Sequence, residues 1–281
     1  MHPISFKREV LSLLLKMTAV VLTIVIIVVI VNFSYSSLGM ISDGKCNIAV
    51  MPIEGTILPF TNVTTAEELF VTPTIVRSFI KTAEEESGIL GIMFEINSPG
   101  GTPVASETIA TDIKNSTLPT LALIGDIGAS GGYMVASGAN TIIASKMSVI
   151  GGIGVTMSYL DETEKNKKDG LTFVSLSAGK YKDAGNPNKP LTEEERILFE
   201  NDLVSVRDSF VEIVAQNRHL TSDAVLSLAD GSTMIGSRAL ETKLIDRLGD
   251  RAEAKRVFAE KLGKPESEII FCEYSPLLKI I

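Results

Sequence analysis

Residues 121–137 read LALIGDIGASGGYMVAS. The apolar run Leu121–Gly125 has the length and side chains of a buried strand. The small residues that follow lead into a short helix predicted over Gly131–Ser137. A strand that meets a helix through Gly128-Ala-Ser-Gly-Gly132 fits the pattern G-x-S-x-G. In that pattern the serine is pushed out on a sharp turn, and the next amides lack intrahelical acceptors. Ser130 is therefore a candidate nucleophile. The same residues also suit a glycine-rich turn that packs a helix on a strand.

Outward from this turn, strands and helices alternate. Asn47–Ile53, Ile89–Ile96, Pro119–Gly125, Thr141–Ala144 and Leu171–Leu176 read as strands. Thr72–Ser87, Val104–Lys114 and Asp161–Lys168 read as helices. Glu54–Val71 and Asn97-Ser-Pro-Gly-Gly-Thr-Pro103 read as loops, and Ile150–Gly154 as a glycine-rich segment. From Thr192 onward the pattern is helical: a capping box opens a helix running to about Asn217. Thr221–Ala229, Ser237–Thr242 and Ala252–Leu262 follow. Repeated strand–turn–helix units predict a single α/β domain with a largely parallel, buried sheet.

The first residues form a separate unit. Met17–Ser42 contains no charged residue, and Ala19–Val31 is nearly all Val, Ile and Leu. About 20 such residues suffice to cross a bilayer as a helix. Lys7, Arg8 and Lys16 precede the run, which places the N-terminus in the cytoplasm. The expected division is a cytoplasmic tail over 1–16, a transmembrane anchor with its juxtamembrane segment over 17–42, and an extracytoplasmic domain over 43–281. A cleaved signal peptide is the competing reading, but its apolar core is usually shorter. Cys46 and Cys272 would then lie outside the membrane, where a disulfide or two buried thiols would each fit. Asn62-Val-Thr and Asn115-Ser-Thr match the glycosylation sequon.

Composition narrows the chemistry. The 281 residues carry 26 Lys+Arg against 34 Asp+Glu, a net charge of −8, with 45% hydrophobic residues. An acidic chain without a basic run is poorly suited to nucleic acid. Two cysteines and two histidines do not supply a Cys-rich or His-built metal centre. No Walker A pattern is present, so no nucleotide is expected. A nucleophilic serine needs a base. His2 falls in the cytoplasmic tail, which leaves His219 as the only histidine on the outer side. A Ser130, Asp202 or Asp208, His219 order is open to an esterase-like hydrolase. The other available base is lysine, which must shed its proton near neutral pH. Ser177-Ala-Gly-Lys-Tyr-Lys-Asp-Ala-Gly185 offers Lys180 and Lys182 directly after a predicted strand. The glycines of Asn97-Ser-Pro-Gly-Gly101 expose backbone amides of the kind an oxyanion hole requires.

Taken together, Asn97-Ser-Pro-Gly-Gly, Ala129-Ser-Gly-Gly-Tyr, Ile150-Gly-Gly-Ile-Gly-Val and Gly179-Lys-Tyr-Lys-Asp resemble the membrane-anchored Ser-Lys signal-peptide peptidases, the SppA-like family, in order and spacing. The resemblance covers roughly residues 47–250. It implies a Clp/crotonase-type fold of repeated β-β-α units after one N-terminal transmembrane helix. By position, Ser130 matches the nucleophile and Lys182 the general base, while Lys180 does not occupy the base position. Gly101 and Gly131 match the oxyanion-hole positions. The family commonly reads Gly-Ser-Ile-Gly where this chain has Gly151-Gly-Ile-Gly154, so Gly152 replaces a serine that helps hold the lysine amine. Ser148, Thr156 or water are the candidates to take over that role.

The resemblance further implies acyl transfer without metal or cofactor, acting on remnant signal peptides or other unfolded hydrophobic peptides at the outer membrane face. It also implies a homo-oligomeric ring, in which one site's serine and lysine come from neighbouring protomers. The alternatives are the Ser-His hydrolase and a catalytically degenerate membrane-anchored scaffold.

Overall fold

A computed structural model describes residues 13, 15–26, 41, 44–60 and 69–273. Five strands form the spine of the sheet: β1 (Ile48–Ile57), β3 (Gly91–Gly101), β4 (Thr120–Ala129), β5 (Thr141–Ala144) and β8 (Arg247–Leu248), with the short β2 (Phe70–Val71) outside β1. All of these neighbours run parallel. The crossovers are α1 (Pro73–Glu85), α2 (Pro103–Lys114) and α3 (Gly131–Ser137). Three further strands are β6 (Val149–Gly151), β7 (Thr233–Ile235) and β9 (Phe271–Glu273). The remaining helices are α4 (Thr163–Lys168), α5 (Glu193–Arg218), α6 (Ser222–Leu226), α7 (Gly236–Glu241) and α8 (Arg251–Leu262). The α/β reading with a parallel sheet therefore holds.

Alternation along the strands explains the layers. Ala49, Met51, Ile53 and Ile57 of β1 point into the larger core with α1, α2, α3 and the C-terminal half of α5. Ile48 and Val50 point the other way, onto Val257 and Phe258 of α8. A strand buried on both faces reads as a continuous apolar run rather than an alternation, as β1 and β4 do.

Some boundaries differ from the sequence reading. The loop expected from Asn97 is the continuation of β3, which pairs with β1 as far as Gly101 opposite Ile57. The strand expected over Leu171–Leu176 has no ladder among the described residues. The Leu171 amide instead donates to the Asn166 carbonyl at 2.8 Å, and Leu171 and Leu176 are 62% and 95% exposed. The capping box at Thr192 is present, with Thr192 and Glu195 bonding each other's amides. Cys46 and Cys272 form a disulfide with 5.2 Å between their Cα atoms.

Residues 15–26 are helical and exposed. Among the described residues no helix is long and apolar enough to cross a membrane. Most of the expected 1–16 tail, the greater part of the expected 17–42 anchor (27–40), and Asn62 of the first sequon lie outside the described residues.

Candidate active site

The site forms where β4 changes partners. Its first half, Leu121–Ile124, pairs with β5, and its last residues, Ile127–Ala129, pair with β6. The chain then reverses at Ser130 into α3, and Ser130 takes φ 51° and ψ −126°. A non-glycine residue in this region is held there only by its surroundings. Three backbone bonds do so. The Ser130 amide donates to Gly151 at 2.7 Å, and its carbonyl accepts from Tyr133 and Met134 at 3.0 Å each. Tyr133 anchors the helix from below: its buried hydroxyl donates to the Leu244 carbonyl at 2.8 Å, and burial pushes that phenol well above its ordinary range.

The Ser130 hydroxyl has no hydrogen-bond partner among the described residues. It lines a cavity of about 410 Å³ together with Gly101, Gly131, Met134, Val206 and Phe210. Gly131 admits no side chain, because a Cβ there would stand 2.2 Å from Ser106 Oγ and 3.2 Å from the Gly101 amide nitrogen. The two glycines predicted to hold an oxyanion thus meet beside the serine. At the first helical position the Gly131 amide has no intrahelical acceptor. Beneath Gly101, the buried Ser98 hydroxyl donates to the Gly55 carbonyl at 2.6 Å and accepts from the Gly100 amide at 3.1 Å. Asn97 Oδ1 accepts from the Ile127 amide at 3.2 Å, tying this wall to β4.

Lys182 does not line the cavity within the same chain. It stands exposed in the turn over 179–185 that precedes α5. The lysines on either side differ from it. Lys180 pairs with Glu194 at 2.8 Å, and that hydrogen bond holds its ammonium above the usual lysine value. Lys189 is bound to Glu195 at 2.5 Å and is likewise raised, chiefly by that bond. Lys182 pairs with no carboxylate among the described residues, which leaves its amine the available one of the three.

Gly152 lies at φ 62°, and a Cβ there would be 3.2 Å from the Ser130 nitrogen and 3.4 Å from Thr233 Cγ2. Of the hydroxyls proposed to stand in for a serine at this position, Ser148 is committed elsewhere. It donates to the Gly125 carbonyl at 2.5 Å and accepts from the Ser145 amide at 3.0 Å. Thr156 lines the cavity, as does Thr233, which sequence reasoning did not single out. His219, Asp202 and Asp208 do not line it. His219 closes α5 in a left-handed cap, and Asp208 is paired with Arg207 at 2.7 Å. Met134, Val206 and Phe210 were also missed as cavity residues. Their signal was the spacing of Val206 and Phe210 four apart on α5, which puts both on one face.

A model of peptidase family S49 matches residues 112–264. The chain belongs to peptidase family S49. The S49 match takes in Ser130, Gly131 and Lys182 and begins after Gly101. Among S49-like relatives, a protein of Methanocaldococcus jannaschii described as a protease, MJ0651, is 33% identical over 189 residues, 66% of this chain and 61% of that protein. A protein of Enterococcus faecium named for signal peptide peptidase SppA is 33% identical over 178 residues, 62% of this chain and 52% of that protein. Protease 4 of Haemophilus influenzae is 30% identical over 210 residues, 74% of this chain and 33% of that protein. The chain thus spans between a third and two thirds of the length of these relatives.

Proposed function

We propose that this chain is a serine peptidase with Ser130 as nucleophile and Lys182 as general base. The observation that carries the reading is Ser130 itself: a serine held at positive φ between a strand and a helix, its hydroxyl unpartnered, in an apolar cavity with two glycine amide positions beside it. Neutral Lys182 takes the Ser130 proton as Oγ attacks a peptide carbonyl. The Gly101 and Gly131 amides hold the oxyanion. The lysine returns its proton to the leaving amine, and water, activated by the same lysine, hydrolyses the acyl-enzyme.

Because Lys182 stands off the cavity of its own chain, the reading takes the base from a neighbouring copy in a ring. The segment that carries Lys182 also bears the uncovered side chains of Leu160, Leu171, Val174 and Leu176, surface that a second copy would bury. Residues 17–42 anchor the ring in the membrane, with the tail over 1–16 in the cytoplasm and the domain over 43–281 outside. Hydrophobic peptides such as remnant signal peptides are the substrates.

The test is peptide hydrolysis by the full chain in detergent. Ser130→Ala and Lys182→Ala abolish turnover, and His219→Ala leaves it intact. Loss with His219→Ala but not with Lys182→Ala would move the chain to the Ser-His class. Failure of a serine-reactive probe to label folded, assembled wild type would favour the scaffold reading. Mixing Ser130→Ala with Lys182→Ala protein restores activity if the pair is shared between copies, and no recovery in verified mixed rings would defeat sharing.

A further inference from the structure

The turn that carries Lys182 is fastened on both sides. Before it, Lys180 is paired with Glu194 of α5. After it, Asp183 accepts a short hydrogen bond from Ser175 Oγ with one oxygen and faces Lys189 Nζ at 3.6 Å with the other. Lys189 also reaches Glu195 Oε1 at 2.5 Å, and Glu195 Oε2 accepts from the Thr192 amide at 3.0 Å. Glu195 is 4% exposed, while the residues around it in the first turns of α5 are largely open to solvent. A buried carboxylate persists where it is paired and hydrogen-bonded. The same loop is held to α4: the Glu162 amide donates to the Pro187 carbonyl at 2.8 Å, and Asn166 Nδ2 donates to Asn188 Oδ1 at 2.8 Å. One cation, Lys189, therefore bridges two carboxylates. One is next to Lys182, and the other begins the helix that continues to Val206 and Phe210 in the cavity wall.

We infer that Lys189 is a positioning residue for the Lys182 base: by bridging Asp183 and Glu195 it fixes the Lys182 turn on the start of α5 and so sets where the amine is presented. This rests on the Ser130–Lys182 reading. The physical ground is that a catalytic group held in its productive position reacts faster than one that must first be brought there, so loss of its anchor lowers kcat more than it weakens substrate binding. The charged or titratable groups around the turn are Lys180, Tyr181 and Asp183 within it, Lys189 from the following loop, and Glu194 and Glu195 from α5.

The experiment is steady-state peptide hydrolysis by the assembled full chain in detergent, with kcat and KM measured separately. Lys189→Met lowers kcat several-fold and leaves KM little changed. Lys189→Arg keeps the wild-type kcat. Asp183→Asn, which removes the charge facing Lys189, lowers kcat in the same way, and it carries the test if Lys189→Met fails to fold. A clamp that acts on stability alone would lower the melting temperature and leave kcat of the folded enzyme unchanged, which would overturn the inference. Lys189→Arg behaving as Lys189→Met would overturn it too. Hydrolysis that survives Lys182→Ala would overturn the Ser130–Lys182 reading itself and the inference with it.

Discussion

The amide of Ser130 donates to the carbonyl of Gly151 at 2.7 Å. This bond ties the strained residue to β6, a strand that joins β4 only after β5 has left it. The elbow is thus braced by a different strand from the one that supports the start of β4, and its geometry depends on close backbone approach. Gly131 shows how close. In Gly131→Ala the new Cβ meets Ser106 Oγ at 2.2 Å, which costs about 1–3 kcal/mol of stability. Adding Ser106→Ala removes that oxygen and recovers part of the loss in a denaturant melt. Activity does not return, because the methyl still stands 3.2 Å from the Gly101 amide nitrogen.

The cavity beside Ser130 sets which side chain is accepted. Val206 lines it from α5 and is only half-buried, so a larger residue there fills the cavity without entering the core. Val206→Phe lowers kcat/KM for peptides with leucine at the cleaved position relative to alanine by roughly tenfold. A paired set of leucine and alanine substrates measures the ratio. An unchanged ratio would mean that the side chain binds elsewhere.

The Cys46–Cys272 disulfide closes a loop of 226 residues. In the chain-entropy view, a loop of that size gives about 5 kcal/mol. Cys46→Ser with Cys272→Ser, or reduction of wild type, lowers the unfolding free energy by that order. Neither cysteine lines the cavity, so peptide hydrolysis at low temperature persists.

The Lys189–Glu195 pair makes stability depend on acid. The hydrogen bond from Lys189 holds the Glu195 carboxyl below its ordinary value of 4.5. A group whose folded value is depressed contributes stability that is present above the ordinary value and is lost as pH falls through the folded one. Thermal melts of wild type therefore fall steeply below pH 4.5, and Glu195→Gln flattens that slope. Equal slopes would remove the pair from the acid response.

β1, β3, β4 and β5 were readable because buried parallel strands are apolar runs bounded by glycine and proline, whereas the end of β1 and the two-residue β2 fell in the predicted loop over Glu54–Val71. α5 was readable because Thr192 and Glu195 announce its start. What escaped were segments whose structure comes from a distant neighbour. Gly100 and Gly101 look like a turn but are strand, because β1 lies alongside to pair with them. Leu171–Leu176 looks like a strand but has no ladder among the described residues. β7 and β9 are three residues each, too short for any period to register. At the site, Ser130 stood out through its small neighbours. The resemblance separated Lys182 from Lys180, but the ion pairs of Lys180 and Lys189 with Glu194 and Glu195 at the start of α5 are not encoded locally. Thr233 entered the cavity through the antiparallel pairing of β7 with β6, which nothing local encodes.

The join between the two ends of the domain has a mechanical meaning. Cys46 precedes β1, Cys272 lies in β9, and Asn47 adds bonds to the backbone on both sides of Ile269, at Glu268 and Ile270. A pull arriving from the N-terminal segment would enter at Cys46 and be divided between two parallel strands. The domain thus takes up a load at the N-terminal ends of its parallel strands, the opposite end from Ser130.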